Sequence, residues 1–271
     1  MENGDKLWQS IEQEQETYNN LGLSEIKNYD KFYLYSIITH STAIEGSTLT
    51  EKDTCLLFDE GFTSKKKPIS EYLMNLDLKI AYEYAFEQAN EKTKITPSFL
   101  QTLNGLVMKS TGSVHNVALG SFDPTKGEYR LCGVRAGFYG KSYMDCQKVP
   151  EKVEELCEAL NNKLNSAQKL QDIYNLSFDA HFNLVTIHPW IDGNGRTSRL
   201  LMNYIQMYHS TMLTKIHKGN RTEYIQSLND SRENENPDYF RNFMAKQHLK
   251  TLREEIKIQK KSYNGGFTLL F

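Results

Sequence analysis

The chain has 271 residues, enough for one large domain or one domain with an appended segment, and for a core of real size. With 39% hydrophobic and 24% charged residues it is composed like an ordinary folded protein, which excludes disordered, collagen-like and low-complexity classes. Lys and Arg number 32 against 34 Asp and Glu, a net charge of −2, so no overall field draws the chain onto nucleic acid or an anionic membrane.

The N-terminus, Met1-Glu2-Asn3-Gly4-Asp5-Lys6, lacks the basic-then-apolar layout of a signal peptide. No window approaches the roughly 18 apolar residues that span a bilayer, so a cytoplasmic protein with no membrane partner is expected. Cys55, Cys132, Cys146 and Cys157 show neither CxxC spacing nor a compact disulfide pattern and read as ordinary thiols of a reducing compartment. Apolar residues three and four apart predict helices over about 24–45, 70–89 and 97–110. Between the first two, Lys65-Lys66-Lys67-Pro68 reads as a solvated loop, because three lysines without interleaved aromatics make a poor nucleic-acid patch. The stretch 112–147 breaks the helical period. It holds six glycines, and Glu128 to Leu131 followed by Val134 to Tyr143 predict short strands joined by turns.

Beyond it, Val153, Leu156, Leu160 and Leu164 form one helical stripe, opened by Pro150, and Ile173, Leu176, Ala180, Leu184 and Ile187 form another. Further helices are predicted over about 194–212, 222–229 and 237–260, whereas 262–271 could be a tail or a small hairpin. The fold expected is mainly α, a helical bundle with a small β-hairpin.

Chemistry concentrates between the last stripe and the next helix, in Ile187-His188-Pro189-Trp190-Ile191-Asp192-Gly193-Asn194-Gly195-Arg196-Thr197-Ser198-Arg199. Pro189 stops the preceding helix and biases His188 out of the helical region, so the imidazole sits at the start of a loop. Gly193-Asn194-Gly195 open the next helix, where small residues let a ligand reach free backbone N–H groups, a ready anion site. Arg196 and Arg199 lie on one face of that helix's first turn, where the macrodipole disfavours cations; a bound polyphosphate would remove the repulsion. Asp192 supplies a hard oxygen ligand that suits Mg²⁺ shared with phosphates better than zinc, for which no Cys/His cluster exists. His188 can then act as a base. A histidine before proline is by itself commonly a capping residue, and GNG commonly a turn; their conjunction with two arginines points to a site.

At these residues the sequence resembles the Fic family, whose signature reads H-P-F-x-[DE]-G-N-G-R-x-x-R. His188, Pro189, Asp192, Gly193, Asn194, Gly195, Arg196 and Arg199 coincide with it, and the one departure is Trp190 where Phe is usual. The resemblance implies the Fic fold with a hairpin flap over the active site, and transfer of AMP from ATP to a Ser, Thr or Tyr hydroxyl of a target protein. It implies His188 as general base, Asp192 as Mg²⁺ ligand, Gly193, Asn194 and Gly195 as the anion hole for the α- and β-phosphates, Arg196 on the β-phosphate side and Arg199 on the γ-phosphate. In the related Doc toxins a lysine interrupts this turn and the reaction becomes phosphorylation, so the intact GNGR favours adenylyl transfer. Gly127-Glu128-Tyr129-Arg130 and the glycine-bearing segment after it look like the family's flap, about 127–147, which holds a target segment by strand addition. Asn203 and Arg221-x-x-Tyr224 resemble positions near the nucleoside, with Tyr224 a candidate adenine contact, although a tyrosine at helical spacing is as often core.

Ser41-Thr42-Ala43-Ile44-Glu45-Gly46 resembles the family's inhibitory motif, [ST]-x-x-x-E-[GN]. Gly46 marks a helix end, yet Glu45 puts an anion in the last turn, where the dipole disfavours it. By resemblance Glu45 pairs with Arg199 and displaces the γ-phosphate, with Ser41 steadying it, in cis and N-terminal to the core. The division expected is a helical segment 1–96 carrying the motif at 41–46, a Fic core over 97–243, and a C-terminal helix and tail over 244–271. The leading reading is an autoinhibited protein adenylyltransferase capable of self-modification. Removal of AMP from a modified protein, and a catalytically silent nucleotide-sensing or docking module, are the alternatives.

Overall fold

The computed structural model describes residues 2–22, 29–64, 66–135 and 142–264, and among these it holds ten α-helices and one two-stranded antiparallel sheet. The chain divides into two compact units, Met1–His40 with Thr214–Phe271, and Ser41–Leu213.

In the first unit α1 (Glu2–Asn20) packs on α10 (Asp238–Asn264), which also packs on α9 (Arg221–Glu233). Trp8 and Ile11 are the buried apolar residues of α1, and Tyr224, Leu228, Phe240 and Met244 fill the core from α9 and α10. A charged pair, Arg253 Nε to Glu14 Oε1 at 3.0 Å, fastens α10 to α1 at the surface. The helix α2 (Tyr29–Ile44) belongs to this unit up to His40, and its last residues open the second.

The second unit is built round α8 (Asn194–Tyr208), which packs against α4 (Ile69–Asn90), α5 (Pro97–Val107) and α7 (Leu170–Ile187); α6 (Val149–Leu164) covers α7. From Arg196 to Tyr208 every residue of α8 is buried, including two arginines, an asparagine and a glutamine. Charged and amide side chains go so deep only where something satisfies them, which marks α8 as more than packing. The stripes predicted over 153–164 and 173–187 lie on α6 and α7, and Leu160, Leu164, Ala180 and Leu184 are buried as expected. Helix α3 (Glu51–Glu60) starts on a capping box: Thr50 Oγ1 accepts from Asp53 N at 3.2 Å, and Asp53 Oδ2 accepts from Thr50 N at 2.8 Å. Lys67 of the predicted solvated loop donates to Asp53 Oδ2 at 2.7 Å and to Thr48 O at 2.8 Å, so one of the three lysines is held.

The predicted strand over 128–131 is not one. The strands of the described residues lie upstream, β1 (His115–Val117) paired with β2 (Gly120–Phe122) in the register His115 opposite Phe122. Residues 128–131 are irregular, and Arg130 N donates to Pro189 O at 3.0 Å. Of the second predicted strand, Tyr143 N donates to Val134 O at 3.0 Å and Arg135 bridges Ser142, while 136–141 lie outside the described residues. So do 23–28, where the first predicted helix begins, and 265–271 of the tail. The four cysteines are free, and no helix among the described residues is long and apolar enough to cross a membrane.

Candidate active site

Helix α7 ends where the sequence places its stop. His188 is its C-cap in the left-handed region, φ 54° and ψ 61°, a conformation that costs a non-glycine residue about 1–2 kcal/mol. It is retained because Pro189 forbids continuation of the helix and because two bonds fix the residue: His188 N donates to Leu184 O at 3.0 Å, and His188 O accepts from Arg130 Nε at 2.8 Å. The imidazole Nδ1 lies 3.3 Å from Val185 O. A carbonyl oxygen only accepts, so this contact selects the tautomer with hydrogen on Nδ1 and the lone pair on Nε2.

Trp190 is fully buried, and its indole N–H donates to Gly127 O at 2.9 Å, a bond that the usual phenylalanine could not make. The loop is closed by Asn194, whose side chain accepts from Trp190 N at 3.1 Å and donates to Trp190 O at 2.8 Å. Asn194 therefore spends its side chain on the loop and offers a ligand its backbone. Gly127, at φ 71°, carries the acceptor for Trp190 so close to α5 that a Cβ there would collide with Gln101 O.

Gly193, also left-handed at φ 79°, is the N-cap of α8 and supplies no side-chain bond, so the first-turn N–H groups are uncapped by protein. Asn104 of α5, buried and not visible as functional in the sequence, pins this turn: its Nδ2 donates to Thr197 Oγ1 at 3.1 Å and to Asp192 O at 3.3 Å. Arg196 is buried beneath it. Its guanidinium donates weakly to Val107 O at 3.3 Å and Met108 Sδ at 3.2 Å, lies 3.6 Å from Asp192 Oδ2, and its Nε has no partner among the described residues. Burial presses the guanidinium toward losing its charge, with Asp192 and then Glu45 opposing. Keeping a buried cation so thinly paired is costly. The Asp192 carboxylate, by contrast, is 70% exposed; Oδ1 accepts from Gly193 N at 2.6 Å, and the rest of the group faces solvent.

Arg199 is paired. Its NH2 donates to Glu45 Oε1 at 2.6 Å and to Ser41 O at 2.9 Å, and its Nε donates to Ser41 Oγ at 2.8 Å. Ser41 thus reaches the glutamate through the arginine rather than directly. Gly46, at φ 105°, turns the chain after α2, and Glu71 accepts from Thr48 N at 2.7 Å to hold the exit. The anion at a helix C-terminus is accounted for by this cation.

Gly195 faces the same carboxylate: a Cβ there would collide with Glu45 Oε1 and come within 3.1 Å of Arg199 NH1. Gly195→Ala should therefore destabilise the wild type by about 1–3 kcal/mol, as overpacking does. In a Glu45→Gly background the same change should be neutral or stabilising by up to about 1 kcal/mol, because its backbone is helical and Ala is the better helix former. Thermal melts of the four proteins measure this; equal costs in both backgrounds would separate Gly195 from Glu45.

Asn203 accepts from Tyr82 OH at 2.6 Å and donates to Gln206 Oε1 at 3.0 Å, in a fully buried polar network that Gln206 extends to Ser177. Tyr224 belongs to the first unit, where it is 2% exposed and packs on Phe240 and Phe243 with ring centroids 6.2 and 6.1 Å away.

The profile of the Fic/DOC family matches residues 94–206, which contain the whole loop from His188 to Arg199. The chain carries a Fic domain. Among curated relatives, the protein adenylyltransferase Fic of Drosophila grimshawi is 32% identical over 218 residues, 79% of this chain and 41% of its own length. That of Culex quinquefasciatus is 29% identical over 210 residues, 76% of this chain and 39% of its own. The chain thus spans about two fifths of the length of these relatives. The fold agrees with solved Fic structures. A Fic-domain-containing signaling protein from Bacteroides thetaiotaomicron superposes with a TM-score of 0.75 at 21% identity, covering 93% of this chain and 97% of the other. Fic-1 from C. elegans gives 0.78 at 22% identity, covering 95% and 73%.

Proposed function

We propose that the chain is a protein adenylyltransferase that its own Glu45 holds in check. The observation that carries the transferase reading is the first turn of α8, an uncapped helix N-terminus over the buried, thinly paired Arg196, following directly on a loop that offers the Nε2 lone pair of His188. Backbone N–H groups of Asn194 and Gly195, joined by that of Gly193 once Asp192 Oδ1 releases it, receive the α- and β-phosphates of ATP, and Arg196 balances their charge. His188 takes the proton from an incoming Ser, Thr or Tyr hydroxyl. The oxygen forms a bond to the α-phosphorus as the bond to the β-phosphate oxygen breaks, and pyrophosphate leaves. Mg²⁺ fits Asp192, a hard carboxylate 70% exposed beside the anion turn, and would supply charge neutralisation at the phosphates. The target docks by strand addition at the flap, and the reaction belongs in a reducing compartment.

The test is transfer from differently labelled ATP. Glu45→Gly protein given ATP labelled at the α-phosphate should label itself or a lysate protein, and ATP labelled at the γ-phosphate should not. Label from the γ position would make the chain a kinase, and none from either would end the transferase reading. In the same assay Asp192→Ala should raise the Mg²⁺ concentration needed for half-maximal transfer about tenfold or more, the size expected on losing a charged partner worth roughly 1.5–3 kcal/mol. An unchanged Mg²⁺ requirement would leave Asp192 as the cap of Gly193 alone.

A further inference from the structure

Arg130 is fully buried, and its guanidinium donates to three backbone carbonyl oxygens. Nε donates to His188 O at 2.8 Å, NH1 to Cys132 O at 2.8 Å and NH2 to Met144 O at 2.7 Å, while its backbone N donates to Pro189 O at 3.0 Å. Burial works against its charge, so the fold retains the cation at a cost. A planar fork holds three backbone points in fixed directions from three nitrogens, whereas lysine's three donors converge on one.

Two of those points lie at or beside residues whose rings stack, His188 itself and Met144 next to Tyr143. The guanidinium that grips the His188 carbonyl also grips the carbonyl of Met144, one residue after Tyr143. The Tyr143 ring lies against the His188 imidazole with centroids 3.7 Å apart and planes 14° from parallel. That spacing is van der Waals contact across a whole face. Tyr143 N is tied to Val134 O at 3.0 Å, so its backbone is held from both sides.

An imidazole at the end of two rotatable bonds needs two constraints to present one nitrogen reliably. The contact from Nδ1 to Val185 O supplies one, and a covered face supplies the other. We propose that Arg130 and Tyr143 are positioning residues for His188: Tyr143 fixes the plane of the imidazole and lies under the imidazolium formed when the proton is taken, and Arg130 locks the two backbones that carry the rings. This rests on the transferase reading given above and adds to it the residues that aim its base.

The experiment uses the full chain with Glu45→Gly as parent. Tyr143→Leu should lower kcat about ten- to a hundredfold, while KM for ATP and the melting temperature stay near the parent's. Tyr143→Phe, which keeps the ring and loses the hydroxyl, should recover most of the rate. Arg130→Lys should lower kcat in the same sense. Independently of activity, the imidazole proton resonances of His188 should be ring-current shifted in the parent and in Tyr143→Phe, and should lose that shift in Tyr143→Leu. A folded Tyr143→Leu protein with the parent's kcat, or one whose His188 resonances do not move, overturns the proposal. A parent that transfers nothing while its His188 resonances shift as expected would instead overturn the transferase reading and leave the stacking intact.

Discussion

Replacing Glu45 by glycine is expected to raise adenylyl transfer about ten- to a hundredfold. The Arg199 side chain is 4% exposed and that of Glu45 35%, and they meet at 2.6 Å, so the pair is a charge-assisted bond between one buried and one half-buried group. Such bonds contribute roughly 1.5–3 kcal/mol, and each 1.4 kcal/mol is a factor of ten in population. The carboxylate also occupies space on the ligand side, since it lies where a side chain on Gly195 would go. Removal of Glu45 therefore does two things: it frees an Arg199 donor and clears the face of the anion turn. Ser41 would still hold Arg199 through Nε and its carbonyl, so the guanidinium stays in place to meet a γ-phosphate instead of collapsing. Transfer is followed as label retained on the protein or on lysate targets, with a melting curve to show that the variant is folded. Wild-type labelling from a folded Glu45→Gly protein would end the autoinhibition reading and make Glu45 an ordinary helix-end residue.

What the sequence discloses about this molecule follows the distance over which each feature acts. The loop from His188 to Arg199 is contiguous, and its rules are local: proline after histidine, glycines before a helix, arginines against a dipole. All of it could be read. Glu45 and Arg199 are 154 residues apart, and only a recurring pattern linked them; the electrostatic oddity of each could be seen, their pairing could not. Arg130 stood in the glycine-bearing stretch where an arginine reads as solvated, because arginine is almost never fully buried. Asn104 gave no signal at all on an apolar helix. Helix α3 was not predicted because its stripe is too short to register by period, and α1 buries too few apolar residues among its charges. The strands β1 and β2 lie upstream of both predicted strands and went unpredicted, since three-residue strands carry almost no alternation.

His188→Ala, made in the Glu45→Gly protein, is expected to reduce transfer by about a hundred- to ten-thousandfold, the range that loss of a positioned general base produces. ATP binding should change little. The phosphate donors proposed are the N–H groups of 193–195 and the guanidinium of Arg196, and none of them bonds the imidazole: Arg196 meets Val107 O and Met108 Sδ, and Asn194 closes on Trp190. The bonds that fix the loop at His188 are made by its backbone, N to Leu184 and O to Arg130, and alanine retains both. The side chain can thus be removed without releasing the strained left-handed turn, apart from the cost of leaving one face of Tyr143 uncovered. Nucleotide affinity by calorimetry and AMP incorporation on the same preparation separate the two effects. If affinity fell in step with transfer, His188 would be part of the nucleotide seat; if transfer persisted, the proton would have to leave by another route, and the histidine's strained position would need a purely structural cause.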